Sequence, residues 1–396
     1  MAVPVGLNVW SRLVEATFPY LDRTAAPFDS LWLPDHVQYA GHNVAEGWSL
    51  LAWTLARYPD KLCGHEVLCN SFRNPAHLAK MAATLQALSG GRLVLGIGAG
   101  WNEEEYRAYG WPFPPARVRI AQLAEAIELI RTMWTQAPAH YKGEHYRIEG
   151  AYCEPRPQPV PPIMVGGHGE RYLLGVVARH ADWWNYPFRG LETYAKKQEA
   201  LKVHCRDVGR DYDEIQEVVR VGILIGADER EVERIKARPE TRPLADVALV
   251  GTPDQVTETL LSIVAQGADR LTVNFADVPH PEGTWLFAAT VLPKKQEALK
   301  VHCRDVGRDY DEIQEVVRVG ILIGADEREV ERIKARPETR PLADVALVGT
   351  PDQVTETLLS IVAQGADRLT VNFADVPHPE GTWLFAATVL PRLQEA

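Results

Sequence analysis

The chain has 396 residues, of which 46% are hydrophobic and 24% are charged, and its formal net charge is −11. This composition is typical of a globular protein and excludes disordered and collagen-like chains. The sequence contains no Lys/Arg cluster large enough to bind nucleic acid or an anionic membrane, and its longest apolar stretches, such as residues 93–101, are too short to span a bilayer.

The first residues of the chain and its cysteines indicate the cellular compartment in which the protein works. The opening segment MAVPVGLNVW lacks the basic start and the long apolar core of a signal peptide. The five cysteines show no spacing typical of a metal site. We therefore expect a cytoplasmic protein whose thiols are reduced.

Predicted strands and helices alternate along the chain. Short runs rich in β-branched residues or leucine predict eight strands, at residues 5–10, 30–36, 63–71, 92–98, 162–166, 182–187, 217–226 and 270–276. Helical spacing predicts helices at residues 12–25, 46–58, 75–89, 117–135, 170–181, 190–208, 252–267 and 283–292. Eight strands that each lead to a helix predict a closed (β/α)8 TIM barrel, with its active site at the carboxyl ends of the strands.

The segment GIGAG at residues 96–100 offers an alternative, an open doubly wound sheet that binds a dinucleotide. The segment lacks the third glycine of that motif at the required offset. Glu103, Glu104 and Glu105 would also bring three carboxylates to the helix end where a pyrophosphate binds. These glycines more simply allow a barrel strand to end in a tight turn close to a ligand, so we keep the barrel.

A perfect repeat lies in the C-terminal half, because residues 196–293 return without one difference as residues 294–391. The repeat starts inside the predicted helix at 190–208 and so does not correspond to a complete domain. We predict a barrel domain in residues 1–293, a duplicate in residues 294–391 that cannot form a barrel of its own, and a tail in residues 392–396. The first copy should occupy the barrel, and residues from 294 onward should have no catalytic role.

Polar residues follow the second and third predicted strands. Asp35 and His36 end the second strand, where an imidazole can transfer protons near neutral pH. A structural Asp–His pair that holds a loop is the alternative. Ser71 ends the third strand beside other small polar groups that could hydrogen-bond a planar ligand, and ordinary capping of the next helix is the alternative.

Glycines run directly into a helix after the fifth predicted strand, at Gly166, Gly167 and Gly169. Exposed amides at a helix N-terminus can hold a phosphate, although a tight turn would have the same sequence. His36 and His42 have loop spacing and no third partner nearby, and the sequence has neither an HExxH metal motif nor a Ser-centred nucleophile elbow.

Several of these segments resemble the luciferase-like monooxygenase family. The resemblance spans residues 5–293 and is most specific at NPAHLAKMAAT (74–84), LSGGR (88–92) and LGIGAGWN (95–102). It extends to residues 161–169 and to ARHAD with WN at 178–185. The resemblance implies a (β/α)8 barrel with an insertion, which binds FMN or the deazaflavin coenzyme F420.

The resemblance also implies roles for individual residues. His36, with Asp35, would contact the ring and handle the proton, Ser71 would contact the cofactor through its hydroxyl, and the three glycines would lie on the phosphate side. Some deazaflavin-dependent dehydrogenases carry a proton-donating Glu where this chain has Trp101. Their sugar-phosphate mechanism therefore does not carry over, and Trp101 is expected to line an apolar substrate pocket beside the ring.

Taken together, the sequence predicts a flavin- or deazaflavin-dependent oxidoreductase that acts on a small molecule, with F420 favoured over FMN. We expect a homo-oligomer with no nucleic-acid or membrane partner and no metal. Two alternatives stay open at this point: a non-catalytic barrel left by the duplication, and a metal-dependent barrel hydrolase.

Overall fold

A computed structural model describes residues 3–9, 14–39, 44–238, 241, 248–278, 280–292, 316–334, 347–363, 368–373 and 380–394. The chain divides into two compact units. The larger unit comprises residues 2–20 and 28–296, and the smaller unit comprises residue 1, residues 21–27 and residues 297–396. In the part of the chain that the structure describes, none of the helices combines the length and the apolar composition that a membrane span requires.

Eight parallel strands of the larger unit close into a barrel. They are β1 (Val5–Asn8), β2 (Ser30–Leu33), β3 (Leu62–His65), β4 (Leu93–Gly98), β5 (Ile163–Gly166), β6 (Trp183–Pro187), β7 (Gln216–Ile225) and β8 (Arg270–Phe275). Each strand pairs with the next along the chain, and β8 pairs with β1 to close the barrel. The predicted barrel is therefore confirmed, and the doubly wound alternative is wrong.

Eight helices follow the strands in the order that the sequence predicts. They are α1 (Val14–Thr24), α2 (Gly47–Arg57), α3 (Pro75–Ser89), α4 (Ala116–Thr135), α5 (Leu173–His180), α6 (Leu191–Val208), α7 (Pro253–Ala265) and α8 (Glu282–Thr290). Helix α6 runs without a break across the start of the sequence repeat.

The start and end of α3 show why the sequence predicts this helix so closely. Asn74 caps its first turn by accepting hydrogen bonds from the backbone N–H groups of Ala76 (2.9 Å) and His77 (3.3 Å). Pro75 occupies the first helical position, and Gly90 ends the helix in the left-handed conformation, with φ of 67°.

Additional short helices and strands lie between the main elements of the barrel. A short strand (Leu68–Cys69) pairs with β4, and a short helix (Glu103–Ala108) follows β4. An antiparallel hairpin (Ala139–Lys142 and Arg147–Ala151) is inserted between α4 and β5. A helix (Glu229–Lys236) and a further strand (Ala248–Gly251) that pairs with the end of β7 lie between β7 and α7.

The inner face of the barrel has an apolar base. Trp32, Val94, Met164, Trp183 and Val218 pack together there from five different strands. Because side chains of a strand alternate between its two faces, the residue two positions further along points into the barrel again. On β6 and β7 those residues are Asn185 and Arg220, so the barrel interior turns polar toward the carboxyl ends of the strands.

The smaller unit contains a parallel sheet formed by the described part of the second copy. Its strands are Val316–Ile323, Leu347–Gly349 and Arg368–Phe373, with the first strand in the centre. Helices Glu327–Lys334, Pro351–Ala363, Glu380–Thr388 and Leu390–Gln394 accompany them. Its registers reproduce those of the first copy, as in Ile321↔Leu347 and Ile223↔Leu249. The predicted domain boundary at residue 293 stays a prediction.

Candidate active site

A cavity of about 700 Å³ opens at the carboxyl ends of the barrel strands. Every barrel strand, or the loop directly after it, contributes to its wall. The contributing residues include Asn8, His36, Glu66, Gly98, Gly166, Asn185, Arg220 and Asn274. This is the end at which barrel enzymes place their active sites.

At the mouth of the cavity, His36 is paired with a buried carboxylate. Its Nδ1 lies 2.5 Å from Oε1 of Glu105, whose side chain is only 2% exposed. Asn102 donates a hydrogen bond of 3.0 Å to the same carboxylate oxygen. Glu105 belongs to the short helix after β4, so a group 69 residues further along the chain orients the imidazole. The imidazole can therefore exchange a proton while its orientation stays fixed.

Aromatic rings surround the exposed side of His36. The ring of Tyr39 lies 5.0 Å from the His36 ring, and the ring of Trp101 lies 6.1 Å away in an edge-on arrangement. Trp101 is largely exposed and lines the cavity rim. Its role toward a substrate stays a prediction.

Asp35 lies beside His36 and lines the cavity, but both of its oxygens are engaged by protein groups. Arg73 donates two hydrogen bonds of 2.8 Å to the carboxylate, and the backbone N–H of Cys69 donates a third, also 2.8 Å. Arg73 also contacts Glu46, the residue that caps α2. This bidentate arrangement ties the loop after β2 to the strand Leu68–Cys69 and so fixes the backbone that carries His36.

The other carboxylate of this network is strongly acidic. Burial opposes ionisation of Glu46, but hydrogen bonds from Ser49, Arg73 and Trp48 outweigh it and lower its pKa to about 2. Glu46 is therefore ionised at neutral pH, and its charge adds to that of Asp35 in holding Arg73.

Val67 projects into the cavity wall between two glycines. A Cβ atom added to Gly98 or to Gly166 would lie 2.8 Å from a γ-methyl of Val67, which is closer than real Cβ contacts allow. The peptide bond that precedes Val67 is cis. Val67 therefore fits here only because Gly98 and Gly166 have no side chains. Packing within the barrel thus explains the glycine at position 98 of the GIGAG segment.

Glu66 lies on the floor of the cavity and is almost completely buried. Its carboxyl group accepts hydrogen bonds from Asn8 Nδ2 (2.5 Å), Asn185 Nδ2 (2.5 Å) and Thr272 Oγ1 (2.6 Å). Burial raises the pKa of Glu66, while the charge of Arg220 and the three donors oppose that rise. One carboxyl group therefore joins strands β1, β6 and β8 at the centre of the barrel.

The glycine turn after β5 forms another part of the wall. Gly167 has φ of 124°, a conformation that strongly favours glycine, and an added Cβ would lie 2.3 Å from Leu173 Cδ2. Its N–H donates to the carbonyl of Asn185 (3.0 Å), so this amide is already engaged. Gly169 accepts the first hydrogen bonds of α5 through its carbonyl and is not among the cavity-lining residues.

Ser71 lies behind the wall rather than in it. It belongs to a single helical turn (Asn70–Phe72), from which Phe72 lines the cavity and Ser71 does not. The hydroxyl of Ser71 lies beside Tyr106, whose own hydroxyl is 3.1 Å from Cys69 Sγ. Burial raises the pKa of Cys69 to about 11, so this thiol stays protonated. A direct contact between Ser71 and a cofactor stays a prediction.

The structure thus brings His36, Asp35, Trp101, Gly166 and Gly167 to one cavity. Sequence reasoning missed its polar floor, which consists of Asn8, Glu66, Asn185, Arg220 and Asn274. A signal was present, since each of these is a polar residue inside or directly after a predicted apolar strand.

Among the described residues, one group of three side chains could hold a metal ion: Glu125, Glu144 and His145. None of the three lines the cavity. The Glu125 carboxylate accepts hydrogen bonds from the backbone N–H groups of Glu144 (2.8 Å), His145 (2.8 Å) and Tyr146 (3.2 Å), so it stabilises the turn of the inserted hairpin.

The closed (β/α)8 barrel, with a polar-floored cavity at its carboxyl end, identifies the class of protein. The chain belongs to the luciferase-like monooxygenase family, whose sequence profile matches residues 25–243. It is 30% identical over 305 residues to an F420-dependent glucose-6-phosphate dehydrogenase of Amycolatopsis mediterranei (strain U-32), a match that covers 67% of this chain and 90% of that relative. The family resemblance inferred from the sequence is confirmed, and the protein is an oxidoreductase enzyme.

Solved structures share the fold. An F420-dependent secondary alcohol dehydrogenase in complex with an F420-acetone adduct superposes with a TM-score of 0.64 at 16% identity, over 74% of this chain and 98% of that one. The EDTA monooxygenase of Chelativorans sp. BNC1 also gives 0.64 at 16% identity, over 75% and 94% of the two chains. At these identities the likeness is one of fold.

Proposed function

We propose that the cavity binds the deazaflavin coenzyme F420, with FMN as the second candidate, and that the enzyme transfers a hydride to or from a small organic substrate. The observation that carries this proposal is the His36–Glu105 pair at the mouth of the cavity, 2.5 Å apart. F420 stands first because the relative with 90% coverage carries that coenzyme in its name. The second candidate is supported by the FMN complex of a Baeyer-Villiger monooxygenase among the similar folds, at 19% identity.

The residues present fit a flavin-type ring. The volume of about 700 Å³ lies within the range of cofactor sites. Because Gly98 and Gly166 have no side chains, Val67 packs against both of them and provides an apolar wall on which a flat group can lie. Asn8 and Asn185 turn their Nδ2 groups to Glu66, and within the described part of the chain no hydrogen bond is donated to their Oδ1 atoms. Those two atoms can accept the N–H groups of a pyrimidine-type ring edge.

A bound deazaflavin or flavin supplies the hydride chemistry, and the chain supplies position and proton transfer. Glu105 holds Nδ1 of His36 and so orients the imidazole, which can take or give a proton when charge moves. The Asp35–Arg73 pair keeps the loop of His36 in place, and Trp101 shields that side of the cavity from water. Asp35 thus acts in this proposal as a positioning residue.

The glycine turn, with Gly166, Gly167 and Gly169, is proposed to lie on the phosphate side of the cofactor. His168 and Arg189 line the cavity next to it. Burial lowers the pKa of His168, and the charges of Lys197 and Arg189 lower it further, so this imidazole is mostly neutral at pH 7. A guanidinium and the exposed helix start therefore supply the positive potential that a phosphate requires.

Titration of the purified protein with F420 and, separately, with FMN tests the proposal. We expect saturable quenching of F420 fluorescence, and His36→Asn should bind with unchanged affinity while losing turnover. Binding of FMN alone, accompanied by oxygen consumption in the presence of a reductant, would shift the assignment to the second candidate. If neither cofactor binds, the proposed cofactor and the proposed reaction are both wrong.

A further inference from the structure

Two polar side chains at the cavity floor form no hydrogen bond with any residue that the structure describes. Arg220 lies on β7 and Asn274 on β8, and both line the cavity. The register pairs Gly222 with Asn274 and Arg220 with Thr272, so Arg220 and Asn274 are diagonal neighbours on the inner face. Asn274 is only 7% exposed, and across the described ranges neither side chain forms a hydrogen bond or an ion pair.

For Asn274 this is unusual, because buried polar groups are nearly always paired, whereas Arg220 is half-buried. Glu66 is the charged group that Arg220 faces, but its oxygens already accept hydrogen bonds from Asn8, Asn185 and Thr272. The N–H donors of Arg220 and the amide of Asn274 are therefore available to a ligand.

Space and apolar surface adjoin these donors. Gly222, between them, has no side chain, and even an added Cβ there would stay 3.7 Å from Asn274 Nδ2. Ala248 and Ala276 line the cavity next to this gap. A ligand at this position thus meets the guanidinium of Arg220 on one side and the small apolar side chains of Ala248 and Ala276 on the other.

We propose that Arg220 and Asn274 bind the carboxylate of a small organic acid, whose hydrocarbon part lies against Ala248 and Ala276. A guanidinium matches two coplanar carboxylate oxygens, and the amide Nδ2 adds a further donor. The proposal rests on the proposed function, since it defines the class of substrate that reaches the cofactor. It names two specificity-determining residues that belong neither to the His36 pair nor to the glycine turn.

Ligand-observed NMR and calorimetry with a matched pair of probes test this site. Cyclohexanecarboxylate and cyclohexylmethanol have the same ring and differ in charge. We expect the wild-type protein, with and without F420, to bind the carboxylate about 10- to 100-fold more tightly, the range of charged hydrogen bonds. Arg220→Gln and Asn274→Ala should lose most of that preference, and Arg220→Lys should retain part of it.

Arg206→Gln removes the same charge from the exposed surface of α6 and serves as the control, with unchanged binding of both probes. Equal affinity of the wild type for the two probes would refute the proposal. So would tighter, Arg220-dependent binding of glucose 6-phosphate, which would make the site one for phosphate.

The cofactor titrations separate this proposal from the proposed function. F420 affinity that falls in Arg220→Gln would place Arg220 against the cofactor and overturn the assignment. Failure of the wild type to bind F420 or FMN would overturn the proposed function, whereas the carboxylate preference measured without cofactor would still stand. Thermal unfolding of each variant verifies that it is folded.

Discussion

Replacement of Gly167 by alanine tests the glycine turn, and its cost can be worked out from the structure. A residue with φ of 124° lies outside the conformations open to alanine, at a cost of about 1–3 kcal/mol. The new Cβ would also lie 2.3 Å from Leu173 Cδ2, and moving that buried side chain off its rotamer costs about 0.5–1.5 kcal/mol. Because the N–H and the carbonyl of Gly167 are both hydrogen-bonded, by Asn185 and Trp184, the turn has little room to relax.

Gly190 provides a matched control. It precedes α6 with φ of 98°, and an added Cβ would meet nothing within 4 Å. The free energy of unfolding should therefore fall by only about 1–3 kcal/mol in Gly190→Ala, the backbone contribution, and by about 1.5–4.5 kcal/mol in Gly167→Ala.

Urea unfolding measures the free energies, and fluorescence titration measures F420 affinity. We expect at least a 10-fold loss of affinity in Gly167→Ala and none in Gly190→Ala. Wild-type affinity of Gly167→Ala for both F420 and FMN would show that the turn does not hold the cofactor. Equal stability losses in the two variants would show that the contact with Leu173 carries no cost.

Three further predictions concern different parts of the chain. His36→Asn should lower turnover by ~10²- to 10⁴-fold at unchanged cofactor affinity, and turnover within about threefold of wild type would leave His36 a structural role only. Burial raises the pKa of Glu217 above its ordinary 4.5. The contribution of Glu217 to the free energy of unfolding is therefore fully present below about pH 4.5 and is lost as the pH rises through the raised pKa. Glu217→Gln should flatten the pH dependence of urea unfolding in that window. Deletion of residues 294–391 should leave a folded barrel that still binds the cofactor, and loss of folding would show that the second copy completes the barrel.

The barrel could be predicted because its signals are local. Each of the eight strands is a short apolar run, and α3 and α7 begin with Asn74-Pro75 and Thr252-Pro253, which cap and start a helix within a few residues. The inserted hairpin and the short helix Glu103–Ala108 escaped prediction. Their residues are mostly polar and exposed, so tertiary contacts such as that of Glu105 with His36 decide their structure.

The polar floor depends on contacts that no local pattern contains. Glu66 meets Asn8, Asn185 and Thr272 across 58, 119 and 206 residues of sequence. Only the closure of the barrel brings these strands together, so the sequence shows a polar residue in each apolar strand but does not show which residues it will meet. His36 was identifiable because its type suits proton transfer, but its partner Glu105 could not be distinguished from Glu103 and Glu104 before the helix phase was known.

The alternation of side chains along the strands explains why the base and the floor of the barrel differ. A strand that places Trp183 in the apolar base places Asn185 in the floor, and one that places Val218 in the base places Arg220 in the floor. Below the floor the apolar layer excludes water, which strengthens the electrostatic effect of each charge above it. A shift of β7 by one residue would remove Arg220 from the cavity and bury Glu217 in its base, so the same packing that holds the barrel in register also determines which charges a ligand meets.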